Sequence, residues 1–121
     1  MDAITTLVEN YIAAWNETDP TNRRSLISHT WADDATFVDP MMEGTGHSGI
    51  DALIRGVQER FPGLRFRPFG TAESHHDRAR FSWELAPEEG DPVARGTDFA
   101  ELSPDGRLRA VTGFFDMVVK P

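Results

Sequence analysis

Apolar residues recur at Ile4, Leu7, Val8, Tyr11, Ile12 and Trp15. This i, i+3, i+4, i+7 spacing lays one apolar stripe along an amphipathic helix. The segment Asn16-Glu17-Thr18-Asp19-Pro20 ends that helix and starts another, with Asp19 placed as N-cap and Pro20 in the first turn. The second helix is expected over about residues 20–31, burying Leu26, Ile27 and Trp31. A strand over 35–39 follows, then a loop from Met41 to His47 that contains Gly44 and Gly46. Ser48, with Asp51 three residues on, reads as the cap of a third helix. The stripe of that helix is Ile50, Leu53, Ile54, Val57 and Phe61, and Pro62-Gly63 stops it.

Beyond Gly63 the period changes from 3.6 to 2. Leu64 to Phe69 alternates, and so does Ala79 to Leu85, with His75-His76-Asp77-Arg78 as a hairpin connection between them. Pro87 to Pro92 is an acidic turn, Val93 to Leu102 another strand, Ser103-Pro104-Asp105-Gly106 a turn, and Leu108 to Val119 the last long strand. Helices first and an antiparallel meander afterwards predict an α+β domain, a curved sheet wrapped around helices with a pocket between them. No repeat, low-complexity tract or linker divides residues 1–121, so one domain is expected.

Composition narrows the partners. The 121 residues include eight Phe and three Trp, with 39% hydrophobic content, enough for a real core. Twelve basic against 20 acidic residues give a net charge of −8, which repels phosphate backbones and anionic lipid; neither nucleic acid nor a membrane surface is expected as partner. Without cysteine the chain has no disulfide, thiolate nucleophile or Cys-ligated metal. The start, Met1 to Thr6, lacks the basic and unbroken apolar character of a signal peptide, and no stretch approaches the roughly 20 apolar residues of a membrane span. A soluble, cytoplasmic protein is the expectation.

Three residues could carry chemistry. Asp39 closes Ala35-Thr36-Phe37-Val38-Asp39-Pro40 and shares its face with Phe37 and Ala35. It is either the carboxylate of an Asp-Pro turn, bound to local backbone N–H groups, or an acid–base group tuned by apolar neighbours such as Phe37 and the Met41-Met42 pair. Asp98 shares its strand face with Ala94, Gly96, Ala100 and Leu102, where aspartate needs a partner or a purpose. It is either satisfied by a backbone amide, Arg95 or Arg109, or it lines a pocket where burial favours its protonated form. Tyr11, on the stripe of the first helix, is either core or a polar handle inside a cavity. His75 and His76 lie near a hairpin tip, and only one of them can face inwards; His29 and His47 read as surface or loop residues. No histidine–carboxylate spacing suggests a metal, no glycine-rich loop a nucleotide, and no G-x-S-x-G a serine hydrolase.

With these residues in place, YIAAWNETD (11–19), WADDATFVDP (31–40), GHSGIDALI (46–54), GTDFAELSPDGRL (96–108) and VTGFFDM (111–117) together resemble the NTF2-like superfamily. Its ketosteroid-isomerase-like and polyketide-cyclase (SnoaL-like) branches are the most similar. The resemblance implies a cone-shaped roll: three N-terminal helices on a strongly curved antiparallel sheet that encloses a pocket, usually as a homodimer. It implies Tyr11 as an oxyanion donor, Asp39 as general base and Asp98 as a protonated acid, working without cofactor or metal. Trp15, Phe37, Met41, Phe61, His75, Trp83 and Phe115 are expected to hold a small apolar molecule, and His75 and Trp83 imply a pocket more polar than a steroid slot. Proton transfer on an apolar carbonyl compound is the leading expectation, as isomerisation or aldol-type cyclisation. A non-catalytic module for a hydrophobic ligand, and a dehydratase or hydrolase-like enzyme using a His–Asp pair, are the alternatives.

Overall fold

Side-chain caps start the first two helices. Asp2 accepts from the Thr5 N–H at 2.9 Å and opens α1 (Ala3–Asn16). Asp19 accepts from the Asn22 N–H at 2.9 Å and, with Pro20 in the first turn, opens α2 (Pro20–Thr30). The computed structural model describes residues 2–119. Trp31, expected at the end of the second helix, takes extended backbone angles and begins β1 (Trp31–Val38), because it pairs with Leu108 on a neighbouring strand. The strand expected over 35–39 therefore starts four residues earlier and stops at Val38, leaving Asp39 at its exit.

The loop expected from Met41 to His47 contains a short strand, β2 (Glu43–Thr45), paired antiparallel with β1. This pairing holds the chain up to Thr45, so α3 (Gly46–Arg60) begins at once through Gly46, whose φ of 73° is a left-handed value that glycine adopts without strain. Ser48 consequently lies inside the first turn and does not cap the helix; the N-cap is Thr45, without a side-chain hydrogen bond. Four strands follow: β3 (Leu64–His75), β4 (Arg78–Pro87), β5 (Ala94–Leu102) and β6 (Leu108–Val118). The sheet order is β2-β1-β6-β5-β4-β3. The meander β3 to β6 is antiparallel, while β1 lies parallel to β6, which makes the sheet mixed. Between β2 at one edge and β3 at the other, α3 carries the chain across the sheet.

Register slips bend the strands. One lies in β3 between Phe69 and Glu73, where Gly70 has a φ of 75°; others interrupt the β1–β6 and β5–β6 pairings. Pro68, which cannot donate to a ladder, is accommodated because β3 is an edge strand. The helices pack on the sheet through Trp31, Phe81, Ile27, Ile50, Ile54, Leu108 and Val111, all fully buried.

Polar side chains from other elements finish the end of α1. Gln58 Nε2 donates to the carbonyls of Trp15 (3.0 Å) and Glu17 (2.8 Å), and Arg23 donates to Glu17 O at 3.2 Å. Arg23 is buried; its Nε donates to Asp51 Oδ1 at 2.6 Å, and the same Nη1 that reaches Glu17 O donates to Gln58 Oε1 at 3.2 Å, so α1, α2 and α3 share one guanidinium. Asn16 exchanges two 2.8 Å bonds with the backbone of Phe66 and fixes α1 to β3. Removing one member of a buried pair strands the other. Arg23→Ala is therefore expected to lower unfolding free energy by about 3 kcal/mol, read from a urea midpoint at unchanged slope. A loss within about 0.5 kcal/mol, as for an ordinary surface residue, would show that water substitutes for the guanidinium.

Candidate functional site

Helices α1 and α3 and the concave face of the sheet enclose a cavity of about 800 Å³. Its inner wall is aromatic: Trp15 lies 5.6 Å from Phe37 and 5.5 Å from Phe66, and Phe66 lies 5.3 Å from Trp83, ring centre to ring centre. The exposed lining residues, among them Met41, Gly56, Arg60, Phe61 and Val118, mark the mouth.

At the inner end the Tyr11 hydroxyl donates to Asp98 Oδ2 at 2.7 Å. Both are buried, at 3% and 2% exposure, and both line the cavity. The helical stripe that turned Tyr11 inwards and the strand alternation that turned Asp98 inwards thus meet 87 residues apart in sequence. Tyr11, and not Arg95 or Arg109 or a backbone amide, is the partner of Asp98; Arg95 points to the outer face and meets Glu84 at 3.1 Å. Burial raises the Asp98 pKa to about 6, against the opposing pull of hydrogen bonds from Tyr11 and the Trp83 indole, with the Asp39 charge adding to the rise. Burial, and then the charge of Asp98, push the Tyr11 phenol well above its ordinary value, so it remains a donor.

Asp39 reaches the same region from the far side of β6. Its Oδ1 accepts the N–H groups of Met41 at 2.8 Å and Met42 at 3.0 Å, the local turn its Asp-Pro sequence predicts. Its side chain also lines the cavity, so the turn orients the carboxylate instead of removing it. Gly113 on β6 separates the two acids: a Cβ there would stand 2.8 Å from Asp98 Oδ1 and 3.2 Å from Asp39 Cβ. The missing side chain is what lets two carboxyls from either side of a strand converge. Gly96 does the same for Trp83, whose ring lies where a Cβ would be.

Tyr11, Trp15, Phe37, Asp39, Met41, Phe61, Trp83, Asp98 and Phe115 all line the cavity. His75 does not. Strand β3 runs on to His75, beyond the helices, so the ring is exposed at the hairpin tip, its Nδ1 3.1 Å from that of His76. His76 is exposed too, in the turn and at a φ of 51°. A His–Asp pair in the cavity is thereby ruled out for both imidazoles. Among the described residues no three His, Cys, Asp or Glu side chains converge as a metal site, and no helix is long and apolar enough to cross a membrane. The sequence reading missed Arg60, Phe66, Gly96 and Gly113. The two glycines carried a signal, since glycine inside a strand marks close approach; Arg60 carried none, because a basic residue ending a helix is ordinary.

A family model described as a SnoaL-like domain matches residues 8–111. A solved protein of Agrobacterium tumefaciens strain C58, named as a candidate isomerase of the SnoaL-like family, is 44% identical, covering 96% of this chain and 99% of its own at a TM-score of 0.90. A candidate polyketide cyclase from Sinorhizobium meliloti shares the fold at 19% identity, 93% and 99% coverage and a TM-score of 0.69. So does an NTF2-like protein of unknown function from Exiguobacterium sp. 255-15, at 22%, 91% and 98%, and 0.71. The search of curated proteins finds no match.

Burial of Asp98 has a consequence for stability. Its folded pKa, about 6, lies above its ordinary value of 3.8, so between these the folded chain binds more protons than the unfolded one and stability falls as pH rises. Asp98→Asn should remove this slope. The variant is expected to gain stability relative to the parent as pH rises from 4 through 6, by an amount on the order of 2 kcal/mol, measured by denaturant unfolding across pH. A constant difference between the two proteins would show that Asp98 does not titrate in this window.

Proposed function

The chain belongs to the SnoaL-like domain family, and on that footing we propose that it is a cofactor-independent enzyme of proton transfer on an apolar carbonyl compound. The observation that carries this reading is the 2.7 Å Tyr11–Asp98 pair at the closed end of an apolar cavity, with Asp39 across Gly113.

The roles follow from the donors and acceptors present. The substrate carbonyl sits against the Tyr11–Asp98 pair, and below about pH 6 Asp98 carries the proton that frees the Tyr11 O–H to turn to the carbonyl. Asp39 takes a proton from the carbon α to that carbonyl, its Oδ1 held by two backbone N–H groups and its Oδ2 free of hydrogen bonds among the described residues. The electron pair moves onto the carbonyl oxygen, and the resulting enolate oxygen accepts a hydrogen bond from the Tyr11 O–H, whose own oxygen accepts from protonated Asp98. Where the substrate holds a β,γ double bond, returning the proton from Asp39 to the γ carbon moves that bond into conjugation; attack of the enolate carbon on a second carbonyl instead closes a ring, and the alkoxide so formed takes the proton back from Asp39. An aromatic wall suits either. The similar Agrobacterium protein, named as a candidate isomerase, favours the first.

A binding module without chemistry is the second reading. It draws on the Met41 and Met42 amides, which give Asp39 a structural duty of its own. The two part in an exchange experiment: the α-hydrogens of a bulky cyclic ketone should exchange with deuterated water in the presence of the protein, followed by NMR. Asp39→Asn is expected to slow this by about a hundredfold or more. Exchange by the variant at the parent rate would remove Asp39 from the mechanism, and no exchange by the parent would leave binding alone.

We also infer a homodimer through the outer face of the sheet, where Phe99 and Phe114 are about half exposed with ring centres 6.0 Å apart. Phe114→Glu is expected to shift the protein from dimer to monomer in sedimentation velocity. An unchanged sedimentation coefficient would place any interface elsewhere.

A further inference from the structure

The cavity is electrically polarised. Among the described residues that line it, only Asp39, Asp98 and Arg60 are ionisable near neutral pH by type; Asp98 is buried at the closed end, Asp39 is half-buried beside Met41, and the one cation is exposed at the mouth. Arg60 ends α3, its guanidinium 5.7 Å from the ring centre of Phe61 on the rim. None of the ion pairs among the described residues involves it. The rim around it, Met41, Phe61, Val118 and Val119, offers no carboxylate.

We propose that Arg60 receives an anionic group of the substrate, so that the natural substrate is an apolar carbonyl compound bearing a carboxylate. This rests on the reading of the cavity as the site of an apolar small molecule. The guanidinium presents a planar fork that matches a carboxylate with two parallel hydrogen bonds. The carboxyls of Asp98 and Asp39 on the sheet side disfavour an anion there, and a chain of net charge −8 repels it from the surface at large. An amphipathic acid is thus drawn in one orientation: carbonyl end inward to Tyr11 and Asp98, carboxylate outward to Arg60. The opposing explanation gives Arg60 only a helix-end role, its charge stabilising the C-terminus of α3. That role predicts an effect on stability and none on the charge preference of the cavity.

Two fluorescent probes with the same ring system separate these explanations: anilinonaphthalene sulfonate, an anion, and N-phenylnaphthylamine, which lacks the sulfonate. Arg60→Gln is expected to weaken the sulfonate about tenfold, the size of one charge-assisted contact, and to leave the neutral probe within about twofold. Arg60→Lys should keep part of the sulfonate affinity, since charge survives without the fork. Equal losses for both probes, or no loss for either, would overturn the proposal, and a fall in melting temperature without a change in probe preference would assign Arg60 to the helix end alone. Failure of both probes to bind the parent protein would instead overturn the reading of the cavity itself.

Discussion

The Tyr11–Asp98 hydrogen bond joins the first helix to the centre of the sheet where almost no water reaches. A carboxyl group in such a place is costly as an anion and cheaper as an acid, and the bond with Tyr11 lessens that cost without cancelling it. The aromatic packing around the pair depends on it. The Tyr11 ring centre lies 4.9 Å from that of Phe81 and 5.5 Å from that of Trp31, so the ring that delivers the hydroxyl is itself part of the core. Core packing and site geometry are one arrangement here: a change that repacks Trp31 or Phe81 also moves the donor.

Around that pair the fold works by leaving space. Gly113 and Gly96 are places where a side chain would collide with Asp98 and Trp83 respectively. Register slips and Gly70 bend the strands, which gives the sheet a concave side for α1 and α3 to close over. The buried Arg23, with Gln58 and Asp51, then holds the helices in register with one another, and Asn16 fastens the helix carrying Tyr11 and Trp15 to the strand carrying Phe66. Few of these residues touch the cavity, yet they decide its shape.

Charge gives the cavity a direction. Asp98 is buried at the inner end, Asp39 half-buried beside it across Gly113, and Arg60 lies exposed at the mouth. The wall between them is largely apolar, where charges are screened less than at the open surface.

The sequence by itself determined which face each element turns inward. The 3.6-residue stripe set Tyr11 and Trp15 on the buried side of α1, and the two-residue alternation set Phe37 with Asp39 and Asp98 with Ala100, because both periodicities are fixed by local backbone geometry. The caps at Asp19 and Pro20 and the turns at Pro62-Gly63 and Ser103-Gly106 were equally local. Tertiary structure decided what met what. The extension of β1 back to Trp31, the pairing of β2 that displaced Ser48 from its capping position, and the parallel placement of β1 beside β6 all arise from contacts between distant segments. So does the fate of His75, since whether a strand residue faces a cavity or solvent depends on how far the strand runs past the helices above it. Side-chain direction is a property of neighbouring residues. The convergence of Tyr11, Asp39 and Asp98 on one cavity is a property of the whole sheet, and no periodicity encodes it.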